Sequence, residues 1–183
     1  MILCAIIIYK LGEAMLAQIL SLFYREIGFS KTTIGTIGKF TSFIASVLGS
    51  FIAVYVISRM KLFKGMIVCD FFQAVTNCLY IWLHHVPTTS VLVVTIFTDN
   101  LTGALGSVAL TTFLTSLCNK KYSATHFAML TSLTAFANST LTTTAGSLVE
   151  YMGWDMFFVM TFLLAFPGML AIAYLNKQNQ QTE

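Results

Sequence analysis

The chain has 183 residues, of which 57% are hydrophobic and 9% charged, and its mean hydropathy is +0.81. A soluble domain carries roughly 25% charged residues, so this composition excludes one and identifies a membrane protein. The formal net charge of +3 comes with basic residues that lie mostly between or after the apolar runs and carries no sign of a nucleic-acid partner.

Apolar runs fall near residues 2–23, 34–57, 66–84, 91–118, 125–149 and 154–175. Each is long enough to cross a hydrocarbon layer roughly 30 Å thick as an α-helix, the only open-chain way to satisfy backbone polar groups there. The expectation is an all-α membrane protein of six transmembrane helices in a single bundle over 1–175, with 176–183 as a polar cytoplasmic tail. Nothing basic precedes the first run and no small-residue cleavage site follows it, which argues against a removed signal peptide. Arg59, Lys61, Lys64, Lys120, Lys121 and Lys177 fall on the side that holds both termini, and Arg25 and Lys31 on the other. The positive-inside rule then places both termini in the cytoplasm.

The first run contains Lys10 and Glu13. On a helix, Lys10, Glu13, Ala17 and Ser21 share one narrow stripe. An ionised group at the bilayer centre costs roughly 2.5–3.5 kcal/mol on insertion scales, so such groups face a bundle interior or a wet cavity. The pair is either a mutual neutralisation that makes the helix insertable or a pathway in which Glu13 exchanges a proton.

In the second run, "IGTIGKFTSFIASVLGSF", Gly35, Gly38, Ser42, Ser46 and Gly49 recur at a period near 3.5, the mark of a close-packing seam. Lys39 lies beside it, either snorkelling to the interface or facing a cavity. The third run carries Asp70, Gln73 and Asn77 as a polar stripe, with Asp70 placed to pair with Arg59, Lys61 or Lys64. In the fourth run Asp99 sits near mid-span with no basic residue within helical reach. It shares a face with Gly103 and Gly106 and is flanked by Asn100; tight packing around a protonated Asp and a cavity wall are the two readings, and the second is favoured. The fifth run is rich in hydroxyls and includes Asn138, too polar for a lipid-facing helix. Pro167 in the sixth predicts a kink or loosened turn.

The four cysteines lack metal or disulfide spacing and read as packing residues. His84 and His85 lie at one membrane edge and His126 at the other, as interfacial residues. No metal site and no cofactor are expected. There is no zinc-protease motif, phosphate loop or Ser/His pair at membrane depth, so the chain is not expected to be an enzyme.

Several segments carry a likeness to a known family. "YKLGEAM" (Tyr9–Met15), "GFSKTTIGTIGK" (Gly28–Lys39), "SRMKLFKG" (Ser58–Gly65), "FFQAVTN" (Phe71–Asn77), "DNLTGALGSVAL" (Asp99–Leu110), "SLCNKKYSATHFAMLTSL" (Ser116–Leu133) and "AGSLVEYMGW" (Ala145–Trp154) together resemble the C-terminal half of AmpG-type muropeptide permeases in the major facilitator superfamily. The resemblance spans nearly the whole chain. It implies a bacterial inner-membrane, proton-coupled symporter for anhydro-muropeptides, used in peptidoglycan recycling. Such transporters have twelve spans and hold substrate between two six-helix halves, so it also implies a second six-helix half or a paired copy as partner, beside the lipid bilayer and a small muropeptide-like substrate.

By position, Lys10, Glu13, Lys39, Gln73, Asn77 and Asp99 match polar positions of the family pattern, and the charged groups read above at membrane depth make Glu13 and Asp99 proton-coupling candidates. Lys10, Lys39, Gln73, Asn77, Asn100 and Asn138 are substrate-cavity candidates, and Gly35, Gly38, Gly49, Gly103 and Gly106 are helix-packing positions. Ala137-Asn138 and Thr142-Thr143 stand where the family pattern has Gly-Arg and Gly-Pro, which removes a cation from the fifth helix. The alternatives are a non-transporting remnant of a split transporter gene and a membrane interaction subunit, with an intramembrane hydrolase a weaker fourth.

Overall fold

The computed structural model describes residues 2–60, 62–117, 128, 131, 132, 135 and 144–180, with side chains placed for most of these from Gly12 onward. Its elements are α1 (Ile2–Glu26), α2 (Lys31–Thr33), a π-helical segment (Ile34–Gly38), α3 (Lys39–Arg59), α4 (Leu62–His85), α5 (Thr89–Leu117) and α6 (Ala145–Gln180). Helix α2, the π-segment and α3 run on as one rod, Lys31–Arg59.

The breaks between rods follow local chemistry. Gly28 takes φ 97°, and the Gly28 and Phe29 amides donate to the Arg25 and Tyr24 carbonyls at 3.2 and 3.0 Å. That is the Schellman closure, which needs a left-handed residue and hence glycine. Ser30 then caps the next rod, its Oγ accepting the Thr33 amide at 3.1 Å, as an N-cap serine does. Pro87 follows the end of α4, and Thr88 Oγ1 accepts the Val91 amide at the start of α5.

Among the described residues, four helices are long and apolar enough to cross a membrane: Lys31–Arg59, Phe63–His85, Thr89–Thr115 and Ala145–Ala173. Six spans are therefore not shown. The backbone of α1 is helical across the expected first run, whereas most of the expected fifth, with Asn138, lies outside the described residues. Helix α6 contains one non-helical residue, Gly153, at φ 77° and ψ 169°, which falls between the fifth and sixth runs read from the sequence. Helical dihedrals continue through Pro167, so the interruption sits at glycine, where a left-handed φ is cheap. The helix also continues to Gln180, into the stretch read as a polar tail.

Packing orders the helices as an arc. Helix α1 packs chiefly on α6, α6 on α4, α4 on α5 and α5 on α3. Lipid is as apolar as leucine, so close packing and polar contacts must hold such a bundle together. Three layers do so. At one end, Phe23, Tyr80, Leu83, Trp154, Phe157 and Phe158 form a buried cluster. Phe23 sits 4.8 Å from Trp154 and edge-on to Phe158 at 5.0 Å, and Tyr80 stacks on Phe158 at 5.4 Å, arrangements aromatic quadrupoles favour. At the other end Ala53, Met66, Cys69, Ala109, Phe113 and Ile172 pack together. Between them lies a polar layer that includes Gln73, Thr76, Asn77, Thr102 and Thr161.

Candidate functional site: a polar cavity between α1, α3 and α5

Since α1 and α3 stand at opposite ends of the arc, they leave a cleft between them, floored by α5 and by Gln73 of α4. A cavity of about 1170 Å³ occupies it. Its wall on α1 includes Glu13, Ala17, Ser21 and Arg25; the facing wall carries Lys31, Gly35, Lys39, Ser42, Ser46 and Ser50; the floor carries Gln73, Asp99, Asn100, Gly103 and Ser107. The α1 residues repeat every four, so one helical face turns to the cavity. The π-segment adjoins Lys31 and Lys39 and is of a kind often found at functional sites.

Three side chains converge on Gly103. Gln73 Nε2 donates to Asp99 Oδ1 at 3.3 Å. A methyl group on Gly103 would lie 3.6 Å from Gln73 Oε1 and 3.9 Å from Glu13 Oε1. Glycine thus admits carboxylates from two helices and an amide from a third into one neighbourhood. Gln73 is buried, and its Oε1 has no hydrogen-bond partner among the described residues. A buried acceptor without a partner is costly, so a water or a ligand donor is welcome there. The mouth differs in charge, since Arg25 and Lys31 are exposed on the cavity rim, Arg25 some 12 residues along α1 from Glu13, a rise of about 18 Å. Acid sits deep and base sits shallow.

The sequence candidates distribute unevenly over this site. Glu13, Asp99, Lys39, Gln73 and Asn100 line the cavity, though Asn100 spends its Nδ2 on the Ile96 carbonyl at 2.8 Å. Asn77 does not line it: one turn beyond Gln73, its Nδ2 donates to Thr161 Oγ1 of α6 at 3.3 Å. The side chain of Lys10 and all of Asn138 lie outside the described part.

The glycines divide as well. At Gly49 a Cβ would collide with the Leu101 carbonyl and come within 2.9 Å of Ala104 Cβ, so this glycine lets α3 press closely onto α5. Gly106 is buried in α5. Gly38 faces Ile96 at an ordinary 3.6 Å, and Gly35 has nothing within 4 Å; Gly35 and Gly103 border the cavity rather than a helix seam. Arg25, Lys31 and Ser50 line the site without having been singled out from the sequence for it. A signal was present in the continuation of the 31, 35, 39, 42, 46, 50 stripe along one face of the rod.

A model of the Major Facilitator Superfamily matches residues 2–182. The chain belongs to the major facilitator superfamily. Among curated members of the superfamily, a Rickettsia felis protein named as transporter AmpG 4 is 42% identical over 97% of this chain and 43% of its own length. The AmpG 4 of Rickettsia conorii is 43% identical over 96% and 42%. The anhydromuropeptide permease of Escherichia coli K12 is 30% identical over 100% of this chain and 38% of the permease. The chain thus spans less than half the length of the relatives it matches. Membership makes it a chain of a membrane-transporter family, and the polar cavity is where a major facilitator would be expected to hold its cargo.

Proposed function

We propose that this chain is one six-helix half of a proton-coupled secondary transporter for anhydro-muropeptides or closely related sugar-peptide fragments. Its cavity would be completed by a second six-helix half, supplied by the rest of a longer protein, another chain or a paired copy. The observation that carries the reading is the convergence of Glu13, Gln73 and Asp99 around Gly103 on the wall of an open cavity. The permease name of the E. coli relative supports the substrate class.

The chemistry follows from charge. Muropeptides carry peptide carboxylates, and Arg25, Lys31 and Lys39 offer cations on the rim and wall. Ionised carboxylates at bilayer depth are expensive, and Glu13 and Asp99 are the proposed proton carriers. Taking up a proton removes that charge and lets the two halves close. Releasing it on the other side restores the charge and reopens the site. Proton and cargo are thereby bound to the same closure step. The basic-residue bias supports a topology with both ends of this stretch on the cytoplasmic side, and the E. coli permease among the relatives supports a bacterial inner membrane as its host.

The test is uptake of labelled anhydro-disaccharide peptide into proteoliposomes, with and without a co-reconstituted N-terminal six-helix half and an inward proton gradient. Uptake that needs both the second half and the gradient supports the reading. Gradient-independent uptake would remove proton coupling, and no uptake in any combination would leave the non-transporting remnant or interaction subunit.

A further inference from the structure

His84 and His85 end α4, and at the same end of the bundle they meet Asp155, two residues past the Gly153 break. His84 Nδ1 lies 2.8 Å from Asp155 Oδ1, and His85 Nε2 lies 3.4 Å from Asp155 Oδ2. The donor atoms of all three residues lie within 4.8 Å of one another, the one group of three or more such ligands among the described residues. We propose that His84, His85 and Asp155 form a binding site for a divalent transition-metal ion of the zinc, nickel or copper type, tying the end of α4 to the start of the post-Gly153 part of α6.

The donor spacing suits such an ion. Zinc–nitrogen and zinc–oxygen bonds of about 2.0–2.1 Å put tetrahedral ligand atoms about 3.3 Å apart, and the separations of 2.8 and 3.4 Å, made to the two different oxygens of Asp155, lie on either side of that figure. Two imidazoles and one carboxylate select for these metals over magnesium and calcium, which take mostly oxygen. The donor groups are held in place by buried neighbours. His84 is half-buried with its ring 6.0 Å from Phe23, and Asp155 follows directly on Trp154, which is clamped against the same Phe23 at 4.8 Å. The last carbonyls of α4 add a negative helix end beside the site. His85 and Asp155 keep 64% and 44% of their side chains exposed, so a metal can enter and a water can take the fourth position. On binding, the hydrogen that links His84 Nδ1 to Asp155 moves to Nε2, freeing Nδ1 to coordinate.

The test uses the whole chain in nanodiscs, stripped with chelator and with its thiols alkylated. Zinc is titrated by calorimetry, and nickel by quenching of Trp154 fluorescence in a Trp82→Phe background. One ion per chain, no competition from magnesium, and binding weakened at least about tenfold by both His85→Ala and Asp155→Asn, with helix content unchanged by circular dichroism, is the expected result. His85 is exposed, so its truncation leaves packing untouched. Unchanged zinc affinity in either variant, or the absence of saturable binding to the unmodified chain, overturns the site and leaves a hydrogen-bonded clasp.

Discussion

Helix α3 carries two rows of small residues about 100° apart, and they do opposite things. Ala45, Gly49 and Ala53 are buried, with Gly49 pressed onto the α5 backbone at Leu101. Ser42, Ser46 and Ser50, in line with Gly35 and Lys39, look into the cavity. One row is small so that a helix can come close; the other is small so that nothing does. Around both, Phe40, Phe51 and Tyr55 are 69%, 73% and 63% exposed, available to lipid or to a second half.

The contrast can be broken most severely at Gly49. A Gly49→Leu variant is expected to lose the α3–α5 seam outright and yield little folded protein, read as loss of the monodisperse peak in size-exclusion chromatography. Glu13→Gln and Asp99→Asn come next. They should leave that peak in place and lower proton-driven uptake in a complete transporter more than about tenfold, a loss of roughly 1.4 kcal/mol or more in the coupled step; uptake equal to the parent in both would remove their role. Gly35→Leu, a far larger side chain placed in the open row, should change thermal stability by no more than about 0.5 kcal/mol while narrowing the cavity enough to reduce uptake several-fold. The smallest effect belongs to Ser50→Ala: its hydroxyl bonds back to the Ser46 carbonyl at 2.8 Å, so melting should stay within about 0.5 kcal/mol of the parent.

Periodicity was enough to place Glu13, Ala17 and Ser21 on one face and to mark Asp99 and Gly103 as neighbours on another, because those relations are internal to a helix. It could not say that Gln73 and Asn77, adjacent on α4, part company. Helix α4 is flanked by α5 on one side and α6 on the other, and the angular offset of a four-residue step sends one amide to Asp99 and the other to Thr161. The same ignorance of neighbours merged the two rows of α3 into one seam. His84 and Asp155 are 71 residues apart, and no local pattern links them. The break at Gly153 was foreseeable as a gap between apolar runs. Pro167 was the weaker guide, since a helix in lipid can re-satisfy the single carbonyl that proline leaves free.

Among the described residues, α4 is the principal bridge between an α1–α6 pair and an α3–α5 pair, and its seam with each passes through hydroxyl and amide contacts such as Thr76–Thr102 at 3.5 Å and Asn77–Thr161. Those contacts make α4 the shared post of the arc, so any change in the angle between the two pairs would widen or narrow the cavity between α1 and α3.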